Sequence, residues 1–358
     1  MPGDVYPKFR AAVQAAPVFL DRDATIDKLD ALVQKAVNAG ADLIVFGESF
    51  IPAFPVWNLI YAPMDQHPFF RRLFDNAVQV PGPHTKRLSE IAKRYNVILS
   101  VGITEKGSIS MGALWNTNLL FDRDGTVAEP SSQARPHVGR KAHLGQRRRG
   151  LSATRGDRHR TRGRPHLWRE YQYPGAFRAA RARRTGTYCD LPTGVAFSPP
   201  WWCGAQAYNL TEAIRIRSAA HAFEGKVFNV VSSCTFDAYA IEQLSQGDSE
   251  MKELLQAAPA PVSIIVGPNG ELLADPVVGG EGMVVAEIDI ARSIEHKMAH
   301  DIVGYYNRFD IFHLEVDPTP NRPVWIKKSR WGDEQLFGEA TQLAQGVFPN
   351  SGDVPLQV

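Results

Sequence analysis

Between Glu129 and Cys203 the chain carries 15 Arg and 1 Lys against 4 acidic residues, an excess of +12. The remainder holds 24 basic and 34 acidic residues, a balance of −10, so the overall charge of +2 conceals two unlike parts. The same window has four of the ten His, two of the three Cys and few Ile, Leu or Val. Such residues cannot supply the buried strands of a folded domain, because each unpaired charge removed from water carries a large desolvation cost. The core must come from the flanks, and the window needs its own explanation.

The flanks read as an ordinary α/β protein. Phe9 to Ala15 is a short apolar run, and Asp21-Arg22-Asp23 is a helix-start signal. Ile26, Leu29, Leu32, Val33 and Val37 follow at helical spacing up to Gly40. Ala41 to Gly47 is a continuous apolar run, as expected of a strand covered on both faces. A helix over Thr85–Tyr95, a strand over Val97–Ile103 and another over Trp115–Phe121 follow, the last closed by the turn Asp122-Arg123-Asp124-Gly125. Beyond the window, Leu210–Glu224 is predicted helical with Thr211 as N-cap, and Val227–Ser232 is predicted as a strand. Val262–Val266 and Glu271–Ala274 form a predicted hairpin about Gly267-Pro268-Asn269-Gly270. Met283–Ile288 is expected as a strand and Ile290–His300 as a final helix. Alternating strands and helices with hairpins imply a layered α/β sandwich. After Val316 the chain reads as a tail or an oligomer contact arm.

With 44% hydrophobic and 22% charged residues, the composition is that of a globular protein. No apolar run reaches the roughly 18 residues that a membrane helix requires. Residues 1–10 lack the basic-then-apolar order of a signal peptide. Three cysteines do not make a disulfide framework, so a reducing cytoplasm is the expected compartment.

One carboxylate has a suggestive position. Glu48, in Phe46-Gly47-Glu48-Ser49-Phe50, follows a predicted buried strand. Apolar surroundings would raise its pKa and suit it to general-base work, although by itself it also reads as a solvated loop residue. The words around it decide between these readings. ADLIVFGESFIPAFPVW, preceded by AAVQAAPVFLD, resembles the nitrilase branch of the carbon–nitrogen hydrolase superfamily. So do NVILSVGITEK, LWNTNLLFDRDGTV, EAIRIRSAAHAFEGKVFNVVSS, SIIVGPNGELLADP and DIVGYYNRFDIF. The resemblance implies an α-β-β-α sandwich domain over residues 8–312 with a C-terminal tail over 313–358. It also implies homo-oligomers, no metal or organic cofactor, and a Glu-Lys-Cys catalytic set in which Glu48 is the base.

The Lys and Cys words of that family are missing. They should fall in the arginine-rich window, which offers only Lys141, Cys189 and Cys203, none of them in a family word. Cys234, in VVSSCTF, reads as a small core or loop residue. A change of reading frame recovers both words. Read one base later, the codons of His166–Tyr173 can encode Ile-Cys-Gly-Glu-Asn-Thr-Asn, with the glycine forced by the Trp168 codon. The same shift over Glu129–Arg149 permits RKLVPT, its Lys spanning the codons of Gln133 and Ala134. A second Glu then spans those of Arg140 and Lys141. Over Pro174–Val195 it permits LARFALLAQGEQVHTATYPPVW, again like the family. Each match is weak alone, but three words in one frame and in order are not chance. The resemblance resumes at Gly204-Ala205-Gln206. Two compensating frame errors, near Ala128 and near Cys203, explain the window, and a GC-rich gene read out of frame explains its arginines.

The chain as written is then expected to be inactive and disrupted over 129–203, since it keeps Glu48 but lacks nucleophile and Lys. The intended reaction is hydrolysis of a small nitrile to carboxylic acid and ammonia. Cyanide-hydrating and amide-hydrolysing relatives are the near alternatives. A non-catalytic protein with a basic nucleic-acid-binding insert is the remote one, because the window lacks recurring aromatic spacing. Neither a nucleic acid nor a membrane is an expected partner. His296 and His300 are four apart but lack a third ligand, so they read as a surface pair. Trp57, Phe54 and Tyr61 are expected either at an acyl pocket or packed at the outer sheet. Tyr305 and Tyr306 are expected near the mouth of the site or an interface.

Overall fold

A computed structural model describes residues 9–107, 111–128, 186–191 and 209–302, with backbone alone at Phe9 and at 186–191. All lie within one compact unit, Met1–Leu314. The arginine-rich window other than 186–191, and the tail from residue 313, lie outside the described residues.

The first sheet has strand order β10-β1-β2-β3-β4-β5. Its members are β1 (Phe9–Gln14), β2 (Leu43–Val45), β3 (Ile98–Lys106), β4 (Leu114–Phe121), β5 (Val127–Ala128) and β10 (Gly282–Glu287). The second sheet runs β6 (Gly186–Leu191), β7 (Phe228–Ser233), β8 (Val262–Val266) and β9 (Val277–Val278). β1 pairs parallel with β2, and β2 with β3, whereas β10 closes antiparallel on β1 with Phe9 opposite Glu287. Between β1 and β2 runs α1 (Arg22–Asn38), capped by the Asp21 side chain, which accepts from Ala24 N at 3.0 Å. Here the start signal in the sequence and the observed cap coincide.

Side-chain alternation sorts the strands into layers. Ala11, Val13, Ile44, Leu99 and Val101 face outward onto Ile26, Leu29 and Val33 of α1 and onto Leu88 and Ile91 of α3 (Pro83–Tyr95). Ala12, Leu43 and Val45 face inward and meet Phe228, Val230 and Ile265 of the second sheet. Val231, Ile264 and Val266 turn outward to Ile214 and Ala222 of α4 (Leu210–Gly225). The result is the α-β-β-α sandwich. Two buried hydrogen bonds tie the sheets together: Ser263 Oγ donates to Gln14 Oε1 at 2.9 Å, and Ser232 Oγ to the Val13 carbonyl at 2.6 Å. Among the described residues no helix is long and apolar enough to cross a membrane.

Three sequence expectations shift. The cap of α4 is Asn209, whose side chain accepts from Glu212 N at 3.0 Å, so the helix begins one residue before Thr211. The hairpin after β8 keeps its turn, with Gly267 N donating to the Glu271 carbonyl at 2.8 Å, but Leu272 makes only an isolated bridge. Pairing with Val262 and Ser263 comes instead from Val277 and Val278. Pro276, which has no N–H to donate, separates these two stretches. The final helix α7 spans Arg292–Ala299, slightly shorter than expected.

Candidate active site

The chain after β2 does not continue straight along β3. Phe46 N still donates to the Ser100 carbonyl at 2.9 Å, and Ile51 N rejoins β3 through the Gly102 carbonyl at 3.2 Å. Between them Gly47–Phe50 bulges, closed by Phe50 N on the Gly47 carbonyl at 3.3 Å. Ser49 takes φ +51 within the bulge. Two glycines make room for it. A Cβ on Gly102 would stand 2.4 Å from the Gly47 oxygen and 2.7 Å from Glu48 Cα, while one on Gly47 would stand 2.7 Å from Cys234 Sγ. Both contacts are too close for any side chain.

This bulge presents Glu48, 9% exposed, on the inner side of the first sheet. The Glu48 carboxylate accepts a hydrogen bond from Asn116 Nδ2 on β4. Ser49 Oγ donates to Asn116 Oδ1 at 3.3 Å, and one step along the sheet Ser100 Oγ donates to Asn118 Oδ1 at 3.1 Å. On β4, Leu119 and Phe121 belong to the outward core, so Asn116 and Asn118 share the opposite, inward face. Beside the buried carboxylate the inner face of β3–β4 is thus polar, with Ser100, Asn116 and Asn118 in line. Asn116 was not singled out by the sequence. Its signal was two asparagines in alternation within the otherwise apolar LWNTNLLF.

The other sequence candidates disperse. Cys234 is 1% exposed and part of the core beneath Gly47, its Sγ 3.8 Å from the Glu48 carbonyl oxygen. Cys189 lies on β6, whose backbone pairs parallel with β7 at Val231. Lys141, Cys203, Tyr305 and Tyr306 lie outside the described residues. His296 contacts Asn269 Nδ2 at 3.2 Å and His300 pairs with Glu224 at 3.2 Å, so the two histidines face different partners. Among the described residues no group of three or more potential metal ligands occurs.

Trp57, Phe54 and Tyr61 pack in a second core formed with α2 (His67–Asn76) and α5 (Ala238–Ser245). Trp57 stacks on Phe69 at 5.4 Å and meets Phe19 edge-on at 6.0 Å, with 1% of its surface exposed. Trp57 is thus a core residue, packed against Phe19 and α2 rather than on the outer sheet. Trp57→Ala is expected to lower unfolding stability by about 3–5 kcal/mol, measured as a reduced urea midpoint at unchanged slope.

Comparison with known proteins gives a consistent result. Residues 10–165 match the family described as Carbon-nitrogen hydrolase. A nitrilase from Paraburkholderia phymatum is 31% identical over 315 residues, covering 88% of each chain. An aliphatic nitrilase from Rhodococcus rhodochrous is 28% identical, covering 88% of this chain and 80% of its own. Among solved structures, Saccharomyces cerevisiae Nit3 superposes with TM-score 0.57 at 17% identity, covering 86% of this chain and 97% of Nit3. A carbon-nitrogen hydrolase from Helicobacter pylori gives 0.56 at 16%, covering 82% and 92%.

Proposed function

Because the chain belongs to the nitrilase branch of the carbon–nitrogen hydrolase superfamily, hydrolases of carbon–nitrogen bonds, we propose that its gene encodes a nitrilase. We propose further that residues 129–203 are that enzyme's sequence read one base out of frame. In the frame-restored chain a Cys thiolate attacks the nitrile carbon and forms a thioimidate. Glu48 takes the thiol proton and later activates water. The Lys encoded across Gln133 and Ala134 balances charge developing on the substrate nitrogen. Ammonia leaves first, and hydrolysis of the thioester then releases the carboxylic acid. The enzyme is placed in the cytoplasm and assembles with further copies of itself.

The observation that carries this reading is Glu48 itself: a carboxylate buried to 9% exposure on an inner-face bulge, beside polar groups, next to a window whose shifted frame spells the two missing partners. The strand at Gly186–Leu191 adds support. The literal residues there are Gly-Thr-Tyr-Cys-Asp-Leu, including the strand-poor Gly186 and Asp190, whereas the shifted reading permits Val-His-Thr-Ala-Thr-Tyr. β-Branched residues at alternate positions fit a strand paired with β7.

Sequencing the gene between the codons of Val127 and Gly204 tests the proposal. One base fewer near the Ala128 codon and one more near the Cys203 codon, relative to what this sequence requires, is the expected result. DNA that encodes the sequence as written overturns it and leaves a family member without its nucleophile.

A further inference from the structure

We propose that Asn116, held in place by Ser49, is a positioning residue that keeps the Glu48 carboxylate ionised and correctly aimed; the inference rests on the reading of Glu48 as general base. Ser49 Oγ donates to Asn116 Oδ1 at 3.3 Å, and Asn116 Nδ2 donates to Glu48. A carboxylate can only accept, so the amide must present its nitrogen there, which leaves its oxygen to accept from the Ser49 hydroxyl. The backbone enforces this relay. Ser49 and Glu48 are neighbours on the bulge, and the φ of +51 at Ser49 belongs to a region that residues other than glycine seldom enter. Asn116 sits on β4 opposite Thr104, two rungs from the Gly102–Asn118 pair, where the bare Gly102 lets the bulge settle against the sheet.

The choice of an amide has chemical content. A donor to the charged form of a carboxylate favours that form. A neutral donor does so more weakly than a charged one. Asn116 therefore orients the base and keeps it unprotonated at neutral pH while leaving it able to accept a proton.

The test is direct titration of Glu48. The full chain is labelled with 13C at glutamate side-chain carboxyls, Glu48→Gln identifies the resonance, and the titration is repeated in Asn116→Leu and Ser49→Ala. Should the chain as written prove insoluble, the frame-restored chain is used. Asn116→Leu is expected to raise the Glu48 pKa by about one unit or more, and Ser49→Ala to raise it by less. In the frame-restored chain the acid limb of kcat/KM moves upward with it. A merely structural residue would lower stability and leave titration and acid limb in place. An unchanged titration in folded Asn116→Leu, or in Ser49→Ala if the former does not fold, overturns the proposal. A shifted titration in a frame-restored chain that hydrolyses no nitrile leaves the relay standing and overturns the base reading instead.

Discussion

Expressed with residues 129–203 in the shifted frame, the chain is expected to release ammonia from nitriles, whereas the chain as written is expected to stay at the uncatalysed background. The contrast should be on the order of a millionfold or more, the usual distance between an enzyme and its reference reaction. The reason lies in chemistry rather than in a subtle change of shape. A nitrile carbon needs a strong nucleophile, and the chain as written has no family Cys word to supply one. Cys234, the cysteine near Glu48, is 1% exposed beneath Gly47 and packed in the outward core. A substrate could reach its sulfur only by opening that core. A second variant separates chemistry from folding: the frame-restored chain with its nucleophile changed to alanine should fold and yet be as inactive as the literal one. Ammonia released at equal rates by the literal and restored chains would sink the frame proposal.

In the frame-restored chain, Glu48→Gln is expected to lower kcat by about 10²–10⁴-fold, the range general-base catalysis contributes. Glutamine keeps the shape of the side chain and an oxygen that can accept from Asn116 Nδ2, so the bulge should survive. What disappears is the ability to take a proton from the thiol. Pre-steady-state measurement should place the loss in formation of the covalent intermediate, with substrate affinity changed little. A variant within about twofold of the parent would remove Glu48 from the mechanism.

The fold was legible where the sequence carries redundant signals. α1 has a capping aspartate, an apolar stripe whose Ile26, Leu29 and Val33 are fully buried, and a glycine just past its end. β2 is short but uniformly buried between helix layer and second sheet, and its unbroken apolar run says so. Legibility failed in 51–77, where prolines and aromatics mask the periodicity. There α2 buries only Phe69 and Leu73, and its stability comes from packing against Trp57 and Phe19 rather than from helix signals. α5 and α6 (Ser249–Gln256) escaped for the opposite reason. Each is a two-turn helix, too short to show a repeating apolar stripe, and the marks present were their capping Asp237 and Asp248. At the site, Glu48 stood out because a carboxylate ending a buried strand is unusual. Its neighbour Asn116 did not, because the register that brings the two together is a property of β3 and β4 pairing and not of either segment alone.

The antiparallel seam of β1 with β10 has a consequence in time. Phe9 meets Glu287 and Gln14 meets Gly282, so the first strand made on the ribosome waits for nearly the last one described. At about 5–20 residues per second that wait lasts roughly 15–55 s. Throughout it one side of β1 displays unpaired N–H and C=O groups, an open template for other chains. A chain ending before residue 282 never closes its first sheet on this side.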